Sequence, residues 1–251
     1  MSARGWAAPG GSPNRRLSAA RPTQSGFARS LLLRLAWVSL VLSAPLACGA
    51  RSTSEFEYEI DPPAPVPALP EECGSPQGTC STRRCDPPLL PASHVPVCSK
   101  LTFASNPPTS GPHYPIWGLF KNYATPLARG FYLHDAEHSG IVLLYNCDYL
   151  KSQAECDTMV DAMTAYVAAK PSDSKCALPT RNRFIVTPDA ELDVAYAAVA
   201  WGHSLKAACF DAAATDTFSD KHYGQNYEDL CGGGLDPTDP GAGLTKGCGL
   251  F

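Results

Sequence analysis

The chain has 251 residues, 44% of them apolar and 18% charged, so it holds enough apolar material for one sizeable core and is not a mostly disordered chain. Residues 1–47 contain six Arg and no Lys, Asp or Glu; the remaining 204 carry 14 basic and 24 acidic groups, an asymmetry hidden by the whole-chain net charge of −4. An acidic body argues against nucleic acid as a partner, because phosphate binding rests on clustered Lys and Arg.

Taken in chain order, the first feature is Leu35 to Ala47, an unbroken run of 13 mostly apolar residues behind Arg29, Leu31 to Leu33 and Arg34. This is the shape of a secretory signal with a basic n-region. A spanning helix takes roughly 20 apolar residues; no later stretch comes close, so the mature protein is expected to have no transmembrane helix. Leu46-Ala47-Cys48-Gly49 resembles the lipobox of bacterial lipoproteins, with Pro45 departing from the aliphatic residue usual three positions before the Cys. That resemblance implies a membrane anchor through lipidated Cys48 and a location in the cell envelope, periplasmic or at the cell surface. An ordinary cleaved signal is the alternative.

Half of the residues from Asp61 to Pro70 are proline, which predicts an extended spacer. Residues 1–47 thus read as signal peptide, 48–72 as lipid anchor and linker, 73–100 as a cysteine-rich loop lobe, and 101–251 as a single domain. Of 11 Cys, removal of Cys48 leaves ten: Cys73, Cys80, Cys85, Cys98, Cys147, Cys156, Cys176, Cys209, Cys231 and Cys248. An even number in an exported chain predicts disulfides. No Cys-x-x-Cys pair occurs, so structural zinc bound by cysteines is disfavoured.

Within the body, Ile141 to Tyr145 reads as a buried strand and Tyr149 to Ala169 as an amphipathic helix, with Cys156, Met159, Val160, Met163, Tyr166 and Val167 at helical spacing. Phe184 to Val186 and Val194 to Trp201 read as strands, and Leu205 to about Phe218 as a second, weaker helix. The order strand-helix-strand-strand-helix predicts an α/β (or α+β) fold with a small mixed sheet, two packed helices and disulfide staples. Its first two strands should be parallel across a right-handed crossover. The tail around Gly232 to Gly234 reads as loop pinned by Cys231 and Cys248.

Two segments carry candidate chemistry. In Asn106-Pro107-Pro108-Thr109-Ser110-Gly111-Pro112-His113, three prolines and a Ser-Gly turn present His113 from a stiff loop. In His134-Asp135-Ala136-Glu137-His138-Ser139-Gly140, a His-x-x-Glu-His pattern leads into the first strand. With six His and nine Glu in the chain, that pattern arises by chance in roughly 0.005 occurrences. Residues four apart can point the same way, so His134 and His138 could face one metal ion, with His113 as third ligand, Glu137 beside them and His203 as a spare. Such imidazole-rich ligation suits zinc or copper. His94 and His222 have no partner at motif spacing and read as surface residues. Tyr114, Trp117, Phe120, Tyr123, Phe131 and Tyr132 read as core or as the wall of a groove.

These segments resemble domain of unknown function 3105, a family of bacterial exported proteins. Its marks are Asn-Pro-Pro-Thr-Ser-Gly-Pro-His, intact at Asn106 to His113, and a later His-x-x-Glu-His-Gly, matched at His134, Glu137 and His138 with Ser139 intervening before Gly140. Trp201-Gly202 resembles a third feature. The resemblance covers roughly Phe103 to His222 and implies a shared fold and site without an activity.

Three rival readings stay open. His-x-x-Glu-His is also the pattern of inverzincin proteases, in which Glu137 would be the base that activates water, although Gly130 and Gly140 bracket the segment and a strand follows. A triad of Ser110, His113 or His138, and Asp135 can be written, but no Gly-x-Ser-x-Gly elbow accompanies it. Lastly, the imidazoles could satisfy buried backbone groups, with Glu137 pairing to His134 or Arg129 in a noncatalytic structural or interaction module.

Overall fold

The computed structural model describes residues 73–226, 228–242 and 244. The expected signal, lipidated Cys48 and proline-rich linker, and the pairing of Cys248, lie outside the described residues. Among the described residues no helix is long and apolar enough to cross a membrane.

The elements are β1 (Arg83–Cys85), β2 (Ser93–His94), β3 (Pro112–His113), α1 (Arg129–Glu137), β4 (Ile141–Tyr145), α2 (Gln153–Ala169), β5 (Phe184–Pro188), β6 (Tyr196–Ala200), β7 (His203–Ala207) and α3 (Ala212–His222). Five strands form one mixed sheet in the order β1-β7-β6-β4-β5. β4 and β5 are parallel, joined through α2, whereas β6 and β7 run antiparallel to their neighbours. The fold is therefore mixed α and β with disulfide staples, as the order of elements implies.

Side-chain alternation divides the strands between two cores. Val142 and Leu144 of β4, Ile185 of β5, and Ala197 and Val199 of β6 pack with Phe131, Tyr132, Leu133 and Ala136 of α1. Ile141 and Leu143, with Phe184, Val186, Tyr196 and Ala198, pack with Met159 and Met163 of α2 and Phe218 of α3. Successive side chains of a strand point to opposite faces, so α1 lies on one face of the sheet, and α2 and α3 on the other. A strand covered on both faces needs a continuous apolar run, which is what Ile141 to Leu144 supplies.

Ser152 caps α2, its side chain accepting from the Glu155 amide, and Asp211 caps α3 in the same way through the Ala214 amide. Three expectations need correction. The segment from Leu205 does not begin a helix: His203–Ala207 is β7, paired to β6 in a hairpin whose two-residue turn is Trp201-Gly202. Gly202 takes φ 79°, the left-handed region that favours glycine. The helix follows only after Asp211. Arg129–Glu137 forms a third helix, unforeseen because all its residues but Arg129 are buried, leaving no polar stripe to betray its period. Finally, the cysteine-rich segment is more than a loop lobe, since β1 is the edge strand of the main sheet.

The disulfides bind these parts together. Cys80 is joined to Cys209 across 129 residues, and Cys73 to Cys85, holding the edge segment to the loop before α3. Cys147–Cys156 ties the end of β4 to α2, and Cys176–Cys231 pins the glycine-rich tail; Cys98 is also disulfide-bonded.

Where α1 turns into β4 there is no room for a side chain. A Cβ at Gly140 would stand 2.6 Å from Phe120 Cε1, 2.8 Å from the Asp135 carbonyl oxygen and 3.1 Å from that of Arg183. Gly140→Ala should therefore lower unfolding free energy by about 2 kcal/mol, in the range of core overpacking. Urea denaturation would measure this, and an unchanged midpoint would contradict so tight a junction.

Candidate functional site

The site is assembled from three stretches that meet over α1. Turning through i, i+3 and i+4, α1 and its cap place His134, Glu137 and His138 on one side of the helix. β3 delivers His113 against that side. β2 pairs with β3 in parallel register, His94 opposite His113, and so adds a further imidazole. Ring centroids are 4.9 Å apart for His94 and His113, 4.7 Å for His94 and His134, and 4.9 Å for His113 and His134.

Much of the proline-rich motif acts to hold His113. The Asn106 side chain accepts from Arg129 and donates to the Glu191 carbonyl, while Arg129 makes a bidentate pair with Asp189. Ser110 Oγ accepts from the Leu90 amide. Gly111 sits at φ 113°, and its carbonyl turns toward the His113 ring. Tyr114 then ties the loop to the helix, donating its amide to the Gly130 carbonyl and offering its own carbonyl to His134. Trp201 packs edge-on against His113 at 5.6 Å.

The tautomers follow from these bonds. His113 Nδ1 lies 2.9 Å from the Gly111 carbonyl oxygen, and His134 Nδ1 lies 2.7 Å from that of Tyr114. A carbonyl only accepts, so each Nδ1 carries the proton and a neutral ring presents its Nε2 lone pair. Both Nε2 atoms face Glu137, whose Oε2 stands 2.9 Å from His113 Nε2, 3.9 Å from His134 Nε2 and 3.8 Å from His94 Nε2. Despite its 2.9 Å approach, His113 Nε2 makes no hydrogen bond. The oxygen is thus close to the ring nitrogen yet not aligned as its proton acceptor. Burial pushes the His134 pKa down to about 4, with the neighbouring imidazoles acting the same way, so this ring stays neutral at physiological pH.

His113, His134 and Glu137 are almost fully buried, and the His94 side chain is 52% exposed. The four can each offer one ligand atom within 4.8 Å of the others. His138, expected in the same set, instead turns its Nε2 to Glu228 at 3.2 Å and packs against Trp117 at 4.5 Å. His94 takes its place. No sequence spacing marks His94, because its partner in the two-residue β2–β3 ladder lies 19 positions away.

The segment bearing His-x-x-Glu-His is helical, contrary to what its bracketing glycines suggested, but the helix has only nine residues. Gly130 is accommodated because a Cβ there would run into the Tyr114 ring at 2.6 Å. Asp135 faces away from the imidazoles, accepting from the Gly118 amide at 2.9 Å, and its complete burial raises its pKa well above the carboxylate range. Ser110 is engaged by the Leu90 amide. The Ser-His-Asp arrangement therefore finds no support. Tyr114, Phe120, Tyr123, Phe131 and Tyr132 are core residues, and Trp117 forms a wall against His134 and His138.

The family described as protein of unknown function DUF3105 matches residues 94–232. The chain belongs to that family. No curated protein and no solved structure matches it. The DUF3105 region begins at His94 and encloses His113, α1 and Glu228, so each of these candidate ligands lies within it. At the end of α1, Ser139 takes φ 66°. Its hydroxyl accepts from the Asn226 amide, tethering the segment that bears Glu228.

His203 and His222 lie apart from this group as a stacked pair with centroids 4.1 Å apart, and His203 Nδ1 is 2.6 Å from Asp86. His222, read as a surface residue, is half-buried; burial, with His203 and Lys221 beside it, pushes its pKa down to about 4. A histidine whose folded pKa falls below the ordinary value of 6.5 contributes stability that is complete above pH 6.5 and is lost as pH falls toward 4. His222→Gln should consequently flatten the fall in Tm between those pH values. An unaltered acid limb would contradict the assignment.

Proposed function

We propose that this chain is an exported, lipid-anchored envelope protein that binds a transition-metal ion, zinc or copper, through His94, His113, His134 and Glu137. The observation that carries this reading is the convergence of Nε2 atoms on Glu137 Oε2 without a hydrogen bond at His113. Lone pairs and a carboxylate oxygen repel one another, and taking a carboxylate out of water costs several kcal/mol. Donors gathered in this way gain most by sharing a cation. Structural zinc binding contributes roughly 10 to 16 kcal/mol in small domains, well above that cost.

The surroundings fit ligation. Metal-bound histidines characteristically donate their second ring N–H to a carbonyl or carboxylate, and His113 and His134 both do so. Three imidazoles with a carboxylate suit zinc or copper better than magnesium or calcium, which prefer oxygen donors alone. Glu137 lies among the donors, so its role here is that of a ligand and not of a base acting on water. Export is supported by the disulfides, which belong to oxidising compartments. Cys48 within its lipobox-like context supports the anchor.

Protein purified from its own membrane fraction should contain close to one zinc or copper ion per chain. His113→Ala and Glu137→Gln should each weaken binding by on the order of 100-fold, at least the loss seen when supporting residues of metal sites are removed, while circular dichroism shows the fold retained. Metal content indistinguishable from a chelated blank, with no thermal shift on adding either ion, would overturn the reading. For the anchor, Cys48→Ser should move the protein from the membrane to the soluble fraction; continued membrane association would exclude lipidation there.

A further inference from the structure

The side of α1 that holds the first group extends into a second. His134, His138 and Glu228 each offer a ligand atom within 4.8 Å of the others. His134 and His138 are one helical turn apart, with ring centroids 4.5 Å from each other. His138 is almost fully buried, and its Nδ1 makes no hydrogen bond. Glu228, with a side chain 38% exposed, approaches its Nε2 to 3.2 Å. The loop carrying Glu228 is not loose: Asn226 donates its side-chain amide to the Glu137 carbonyl and its backbone amide to Ser139, and Cys231 is bonded to Cys176.

A simple ion pair between His138 and Glu228 does not account for the buried Nδ1 or for the nearness of His134. The decisive constraint is on His134. Its Nδ1 proton is committed to the Tyr114 carbonyl, which leaves a single lone pair at Nε2. One imidazole nitrogen binds one ion, so the two groups cannot both use it.

We propose that His138 and Glu228 form a second, weaker transition-metal position that competes with the first for His134. This inference rests on metal binding at the first group. An ion at the first position with His134 engaged leaves the second with His138 and Glu228 as its ligands. An ion taking His134 into the second leaves the first with His94, His113 and Glu137. Loading is therefore anticooperative, and the second ion sits where Glu228 reaches solvent, open to ligands from another molecule.

The experiment is a zinc titration of the full-length chain against a chromophoric chelator, repeated for Glu228→Gln, His138→Phe and His134→Ala. Wild type should bind one ion tightly and a second at least tenfold more weakly. Glu228→Gln and His138→Phe should abolish the weak step and leave the tight one unchanged, whereas His134→Ala should weaken the tight step and leave the weak one, held by His138 and Glu228, nearly as it was, so that the two steps draw together. Glu228 is partly exposed, so its variant tests the idea even if His138→Phe fails to fold. A single binding step in wild type, loss of the tight ion in Glu228→Gln, or a gap between the two steps that His134→Ala leaves unchanged overturns the second position. Absence of any tight ion in wild type would instead overturn the first-site reading on which it depends.

Discussion

Two hydrogen bonds from imidazole to backbone govern the candidate site. By donating Nδ1–H to the Gly111 and Tyr114 carbonyls, His113 and His134 are fixed in orientation, with their Nε2 atoms toward Glu137. Neither carbonyl belongs to a residue whose side chain does chemistry. Their placement depends on backbone: the left-handed turn at Gly111, and the Tyr114 amide bonded to the Gly130 carbonyl of α1. The orientation of these rings is thus set by the path of the chain, and a donor cluster forms in an interior that would otherwise disfavour a carboxylate.

The fold supplies the rigidity this requires. α1 is buried against the sheet through Phe131, Tyr132, Leu133 and Ala136, so the backbone that carries Glu137 is held in place. Arg129, at the other end of the helix, is locked by Asp189 and Asn106. At the C-terminal end, Gly140 allows the chain to enter β4 directly, and Ser139 holds Asn226 against the helix. The loop bearing His113 is braced by Ser110 on one side and by the Trp201-Gly202 turn on the other, where the Gly202 amide donates to the Thr109 carbonyl at 2.7 Å. The proline-rich segment and the His-x-x-Glu-His segment are therefore one structural unit: part of each provides donors, and the rest holds them still.

The sequence made some of this visible and hid the remainder for identifiable reasons. β4, α2, β5 and β6 could be read because apolar runs and helical periodicity register burial directly. His113, His134 and Glu137 stood out because rare residue types recur in two compact segments. His94 did not, since its role arises from a two-residue parallel ladder that leaves no periodic trace. α1 was hidden by complete burial, which erases amphipathic contrast. β7 was hidden because Ser204 and Lys206 are buried polar residues; Lys206 reaches the Asn106 carbonyl and Asp193. His138 was grouped with the others by spacing alone, which fixes the side of a helix but not the partner that a side chain finds there.

The most direct test of the shared-cation claim is X-ray absorption at the metal edge of protein loaded with one equivalent of zinc. The arrangement of His94, His113, His134 and Glu137 predicts a first shell of nitrogen and oxygen at about 2.0 to 2.1 Å with scattering from three imidazoles. A shell containing sulfur near about 2.3 Å, or one of water oxygens without imidazole scattering, would contradict it.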